Sequence, residues 1–303
     1  MERIATSSQQ DLLVKQMLRA QSAVAVAQTQ AATGLKSDDF SGVAADSARI
    51  VNLEDEYKRL ERYVDEGEVV NGRIQTMYDA VGGMVDLTAR LSSLVTSLQG
   101  AGAAPDGVQE EAAGLMAEFA ALLNTRQEGR YLFGGARTDT APANIDAAVY
   151  PAIATAPSAA DVSYYQGGAA AGYFQAADDL VINYSATADE GAFEQALRAF
   201  NLLSNLSADP LDVDALDEAS QLASDATEGL AVIQTRLGTA SATLERVIDR
   251  HVETQLTLQT QVDDMKSVDL AEAAARLSVL ETSLQATMSL MKILDENSLM
   301  NYL

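Results

Sequence analysis

The sequence predicts a mainly α protein, a bundle of long helices interrupted once by a small β-rich insertion. Three observations lead there. Of the 303 residues 48% are hydrophobic, yet aromatics are only 5% and Trp is absent. Ala and Leu therefore supply most of the apolar surface, which suits long helices packed side by side. Apolar residues recur at three- and four-residue steps over both halves of the chain. Between residues 130 and 190 that rhythm stops, and most of the aromatics gather there: Tyr131, Phe133, Tyr150, Tyr164, Tyr165, Tyr173, Phe174 and Tyr184.

The elements follow in order. Leu13, Met17, Ala20, Val24, Ala27 and Ala31 form one helical stripe, and Gly34 supplies the stop that C-termini prefer. In "LKSDDFSG", Asp38-Asp39 reads as a cap and turn, with Asp39 or Ser41 capping the next helix. That helix carries Ile50, Leu53, Tyr57, Leu60 and Val64, continued by Ile74, Tyr78, Val81 and Val85. Gly67, Gly72, Gly82 and Gly83 weaken it by about 1 kcal/mol each against Ala, so it needs packing partners. "QGAGAAPDG" breaks it, and a third helix is expected from Pro105 to Arg126. Within the insertion, "DLVINY" has strand character. "AFEQALRAFNLLSNL" reads as a short helix.

The last hundred residues are the most regular. Leu230, Leu237, Leu244, His251, Leu258 and Met265 are spaced by seven, with Ile233, Ala240 and Val247 between them. This is a heptad seam, and His251 is read as a packed member of it. The phase breaks at "KSVD", where Asp269 is expected to cap a new helix. The new seam holds Leu270, Leu277, Leu284 and Met291, interleaved with Ala273, Leu280 and Leu294.

Composition removes several functions. With 44 acidic and 20 basic residues the net charge is −24, which disfavours nucleic acid and anionic membranes as partners. Cys is absent and His occurs once, so disulfides, thiol chemistry and His-based zinc sites are excluded. No apolar run is long enough for a transmembrane helix, and the opening "MERIATSSQQDLLVKQ" lacks the apolar core of a secretory signal. No catalytic constellation, cofactor site or metal site is found, and the chain is read as a non-enzyme.

The turn "TGLKSDDFSGVAADSARI" and the ending "VDLAEAAARLSVLETSLQATMSLMKILDENSLMNYL" resemble the bacterial flagellin superfamily. "EGRYLFGGARTDTAP", "YYQGG" and the final "NYL" resemble its hook–filament junction branch, the third hook-associated proteins. The resemblance implies that the two chain ends pair as helices lining a tube, while the middle helices form a mantle and the insertion faces out. It implies five segments: terminal helices at 1–34 and 267–303, helical core at 35–129 and 191–266, and the insertion at 130–190. Leu13, Met17, Val24, Leu270, Leu277, Leu284, Met291 and Leu294 would be subunit-interface residues. Arg130, Tyr131, Leu132, Phe133, Gly134 and Gly135 would form the exit from the helical core.

The implied function is a structural subunit joining hook to filament. It would be exported unfolded through the flagellar channel without a cleaved signal and ordered on assembly. The implied location is extracellular, in the flagellum. Implied partners are copies of itself in a ring or tube, the first hook-associated protein, flagellin, an export chaperone and the export apparatus. Filament flagellin is the alternative, and a helical adhesin or signalling rod a more distant one.

Overall fold

The computed structural model describes residues 2–37, 44, 46–100, 105–170, 172–207 and 210–296. Asp38, Asp39, Phe40 and Ser41 of the acidic turn lie outside the described residues, as do the closing "NYL" and the side chain of Leu294.

The described elements are α1 (Glu2–Thr33), α2 (Ser47–Gln99), α3 (Pro105–Leu123), β1 (Arg126–Gln127), β2 (Arg130–Tyr131), β3 (Tyr173–Ala177), β4 (Leu180–Asn183), α4 (Gly191–Ser204), α5 (Val213–Lys266) and α6 (Leu270–Glu296). The chain forms two compact units, a central one of residues 62–252 and a terminal one of residues 1–61 with 253–303.

In the central unit the apolar stripes of α2, α3, α4 and α5 close over one core. Ile74, Val81, Leu91, Phe119, Leu123, Phe200, Leu230, Leu237 and Leu244 are fully or nearly fully buried in it. The heptad residues of α5 thus face inward as their spacing requires. Glycine in α2 serves close approach: a Cβ at Gly67 would press on the Ile248 side chain at 3.2 Å. Tyr78, expected in the α2 stripe, is 37% exposed, and the stripe runs instead through Met77, Val81 and Met84. His251 is buried as a packed residue. Its Nε2 lies 2.8 Å from the Ala176 carbonyl oxygen, and its ring stacks on Tyr63 at 5.7 Å.

The insertion has little strand. β1 and β2 pair through a two-residue turn, Glu128-Gly129, in which both residues have positive φ. That is the turn geometry whose twist matches a hairpin. β3 and β4 form a second antiparallel pair with an irregularity between Gln175 and Ala177. The rest is irregular chain fastened by helix side chains. Both carboxylate oxygens of Glu218 accept from the Ser158 amide at 3.0 Å, Glu194 accepts from the Asp161 amide, and Asn201 bonds both Ile153 N and Pro151 O. Such bonds satisfy buried backbone without a sheet. Tyr150 and Tyr164 meet edge to face at 5.4 Å, and burial holds both phenols well above their ordinary range. The Tyr164 hydroxyl therefore stays a donor, to the Ala188 carbonyl at 2.7 Å.

In the terminal unit α1 packs against α6. Gly34, at φ +72, ends α1 as expected. An antiparallel bridge joins Leu35 to Ser267, with Lys36 N donating to Lys266 O and Val268 N to Gly34 O. This clasp sets the end of α1 beside the start of α6, so the two helices run antiparallel. α5 stops at Lys266 and α6 starts at Leu270, the break expected from the phase change. Asp269 Oδ1 accepts from Ala271 N at 2.8 Å and Glu272 N at 3.3 Å. A carboxylate cap of this kind is worth about 1 kcal/mol. No helix among the described residues is long and apolar enough to cross a membrane.

Candidate assembly surface

Two places hold the residues singled out in the sequence. The first is the exit from the helical core. Arg130 and Tyr131 form β2, and the Arg126 guanidinium sits 4.8 Å above the Tyr131 ring. The amide of Tyr131 donates to Thr138 O and that of Leu132 to Thr125 O, which pins both sides of the strand. Phe133 is fully buried and meets Phe193 of α4 edge-on at 5.8 Å.

Two glycines then turn the chain. A Cβ at Gly134 would collide with the Arg137 carbonyl oxygen, and one at Gly135 with that of Gly168. Gly135 also has φ +60, a region that costs other residues about 1 kcal/mol or more. Gly168 N donates to Gly134 O at 2.9 Å, and the Tyr165 hydroxyl donates to Gly168 O at 2.9 Å. "RYLFGG" and "YYQGG" are therefore two halves of one turn.

The second place is the α1–α6 pair. Leu13 and Met17 are half-buried and Val24 and Ala27 buried, while Leu277, Leu280, Leu284 and Met291 are half-buried and Ala273 is buried. These positions repeat at helical spacing on each helix and face the partner helix within the same chain. Leu270, at the start of α6, stays 58% exposed. The seam predicted from sequence is brought together, but in the single chain it is occupied by the chain's own other end.

A different apolar set is left facing outward. Val279, Ala286 and Leu290 are exposed on α6 and recur at seven and four residues, a second stripe away from the seam. On α1, Leu12, Val14, Leu18 and Val26 are exposed as well. So many large exposed side chains on one helix pair mark a candidate surface for a partner. These residues are missed when only the strongest heptad is followed. The signal that finds them is the second phase of the same period on α6.

Among the described residues no group of three or more His, Cys, Asp or Glu is placed to hold a metal ion. What the arrangement offers is contact area, with a rigid turn leading to an insertion on the central unit.

The comparisons agree with this. Residues 4–138 match the family model described as the bacterial flagellin N-terminal helical region, and residues 220–303 match the bacterial flagellin C-terminal helical region. No curated protein matches the sequence. Among solved structures the chain is similar to FlgL from Bacillus cereus at 16% identity, with a TM-score of 0.57 over 71% of this chain and 99% of that one. It is also similar to a putative flagellar hook-associated protein from Vibrio parahaemolyticus at 17% identity, with a TM-score of 0.55 over 75% of this chain and 98% of that one. The two matched regions cover α1 to the exit turn and most of α5 through α6, the parts that build the paired ends and the long-helix core. With its ends paired, its core helical and its insertion small, this chain belongs to the bacterial flagellin superfamily as a flagellar structural protein.

Proposed function

We propose that this chain is the subunit that joins hook to filament, exported unfolded and ordered fully on assembly. The observation that carries the reading is the exit turn. The two motifs that resemble the junction branch, at Arg130–Gly135 and Tyr164–Gly168, are in direct contact there and depend on each other through Gly134, Gly135 and Gly168. The likeness to FlgL and to a hook-associated protein over nearly their whole lengths supports the same branch. The partners proposed are copies of itself, the first hook-associated protein on one side, flagellin on the other, and an export chaperone and the export apparatus before assembly. The site of action proposed is extracellular. The thin α1–α6 seam, in which Val24, Ala27 and Ala273 are buried while Leu13, Met17, Leu277, Leu280, Leu284 and Met291 stay half-exposed, supports ordering on assembly. It buries little area against an ordering cost of about 1–2 kcal/mol per residue.

Filament flagellin is the second reading, favoured by the match of both terminal regions to flagellin family models. Self-assembly separates the two. A junction subunit contacts one kind of protein below and another above, so its ends do not match and growth by self-addition stops. Concentrated pure protein viewed by electron microscopy, with and without a precipitating salt, is expected to give short assemblies or none. Micrometre-long tubes from this chain alone would assign it to the filament.

A further inference from the structure

On the central unit the outer edge of β4 stands open. Tyr184 N donates to Gly172 O, and these two residues lie opposite one another in the register that pairs Phe174 with Ile182. Bonded and non-bonded pairs alternate along an antiparallel ladder. Ile182 and Tyr184 therefore turn their backbone groups toward β3, and Val181 and Asn183 turn theirs away from it. Neither the amide nor the carbonyl of Val181 or Asn183 has a hydrogen-bond partner among the described residues. Natural sheets blunt such an edge with charge or proline, and Leu180–Asn183 carries neither.

The open edge borders a trough of about 650 Å³, walled on one side by β4 and on the other by α5. The α5 wall is a row of small side chains at four-residue steps, Ala231, Thr235, Thr239 and Thr243. That spacing keeps them on one face of the helix. The Thr235 and Thr239 hydroxyls donate back to Ala231 O and Thr235 O, so their bonds are met within α5. Val181 and Val232 also line the trough and are 51% and 66% exposed. No carboxylate lines it. Arg246 donates to the Thr243 hydroxyl at 3.1 Å and to Ala242 O, and has no carboxylate partner among the described residues. The other guanidinium at the trough, that of Arg236, is held by both carboxylate oxygens of Glu190.

We propose that this trough takes an extended acidic peptide segment of another protein, added to β4 as a third strand. The unmet backbone groups of Val181 and Asn183 select an extended main chain, whose amides and carbonyls complete the ladder. The small residues of α5 leave room for its alternate apolar side chains. The free Arg246, on a chain whose net charge is −24, selects a carboxylate at the Thr243 end. The hairpin of a second copy does not fit, because its own β4 edge faces its own α5 across the same trough. Two such edges cannot meet with a helix in front of each.

The inference stands on the central unit alone and does not depend on where in the flagellum the chain sits. The probe is a capped seven-residue peptide of alternating valine and threonine with one terminal aspartate, titrated into the full-length isotope-labelled chain. The amide resonances of Val181 and Asn183 are expected to shift, and their hydrogen exchange to slow about tenfold or more. The same peptide methylated on its backbone nitrogens cannot complete the ladder and is expected to leave both unchanged. Thr239→Trp, at an exposed position of α5, fills the trough and is expected to abolish binding without moving the melting temperature. Arg246→Glu is expected to weaken binding about tenfold, and lysine in place of the peptide's aspartate to restore it.

No shift at millimolar peptide would overturn the proposal, as would equal binding of the methylated peptide or binding that survives Thr239→Trp. Arg246→Glu binding both peptides as the wild type does would overturn the acidic partner. Protection of Val181 and Asn183 that rises with protein concentration in the absence of peptide would give the trough to a second copy and overturn it too.

Discussion

Phe200→Ala is expected to lower the melting temperature of the central unit by about 10 °C while leaving its fold unchanged. Phe200 is fully buried on α4 and meets Phe119 of α3 at 5.5 Å, ring tilted to ring. α3 and α4 pack directly on one another, and this pair sits in their shared core. Truncation removes the ring's transfer energy and leaves a cavity that the flanking helices only partly close, costing about 3–5 kcal/mol. Each kcal/mol is worth about 2–4 °C in a unit of this size. Calorimetry of the purified chain checks it. A shift under about 3 °C would mean that Phe200 is not a keystone of this core.

Leu277→Asp is expected to act on the other unit, and more severely on function. Leu277 lies in the α1–α6 seam, one turn after the buried Ala273. A carboxylate there must either desolvate, at several kcal/mol, or escape to water by separating the helices. The thin seam cannot offset that cost, so separation wins. The far-ultraviolet helical signal should fall by no more than the 32 residues of α1 and 27 of α6. The melting transition of the central unit should not move, and incorporation into flagella should be lost. A central transition that drops with the helical signal would show that the terminal pair is part of the same cooperative core.

Much of this was legible in sequence because single periodic signals carried it. The α5 seam from Leu230 to Val247 is buried as its spacing demands, and the phase change after Met265 is a real break capped by Asp269. Gly134 and Gly135 were readable as part of the exit through the resemblance of "RYLFGG", and the structure gives the reason for glycine, since a Cβ at either position would collide with a backbone carbonyl oxygen.

The insertion was harder to read. Its two short strand pairs answer the expected strand character, but the chain between them is held by scattered backbone bonds and by Glu218, Glu194 and Asn201, which sit thirty to sixty residues away. No local pattern announces such bonds. The candidate assembly surface was half legible. Spacing found Leu13, Met17, Val24, Leu277, Leu284 and Met291 as a seam but could not say which partner fills it. Within one chain the partner is the other terminus. The weaker second stripe at Val279, Ala286 and Leu290 was masked by the stronger one beside it.

The central claim is that this flagellin-superfamily subunit sits between hook and filament. Immunogold labelling of intact flagella from the source bacterium, with antibody raised against the insertion at 130–190, tests it most directly. The account predicts gold confined to a narrow band at the hook–filament boundary. Gold distributed along the whole filament would contradict it and make this chain a filament protein.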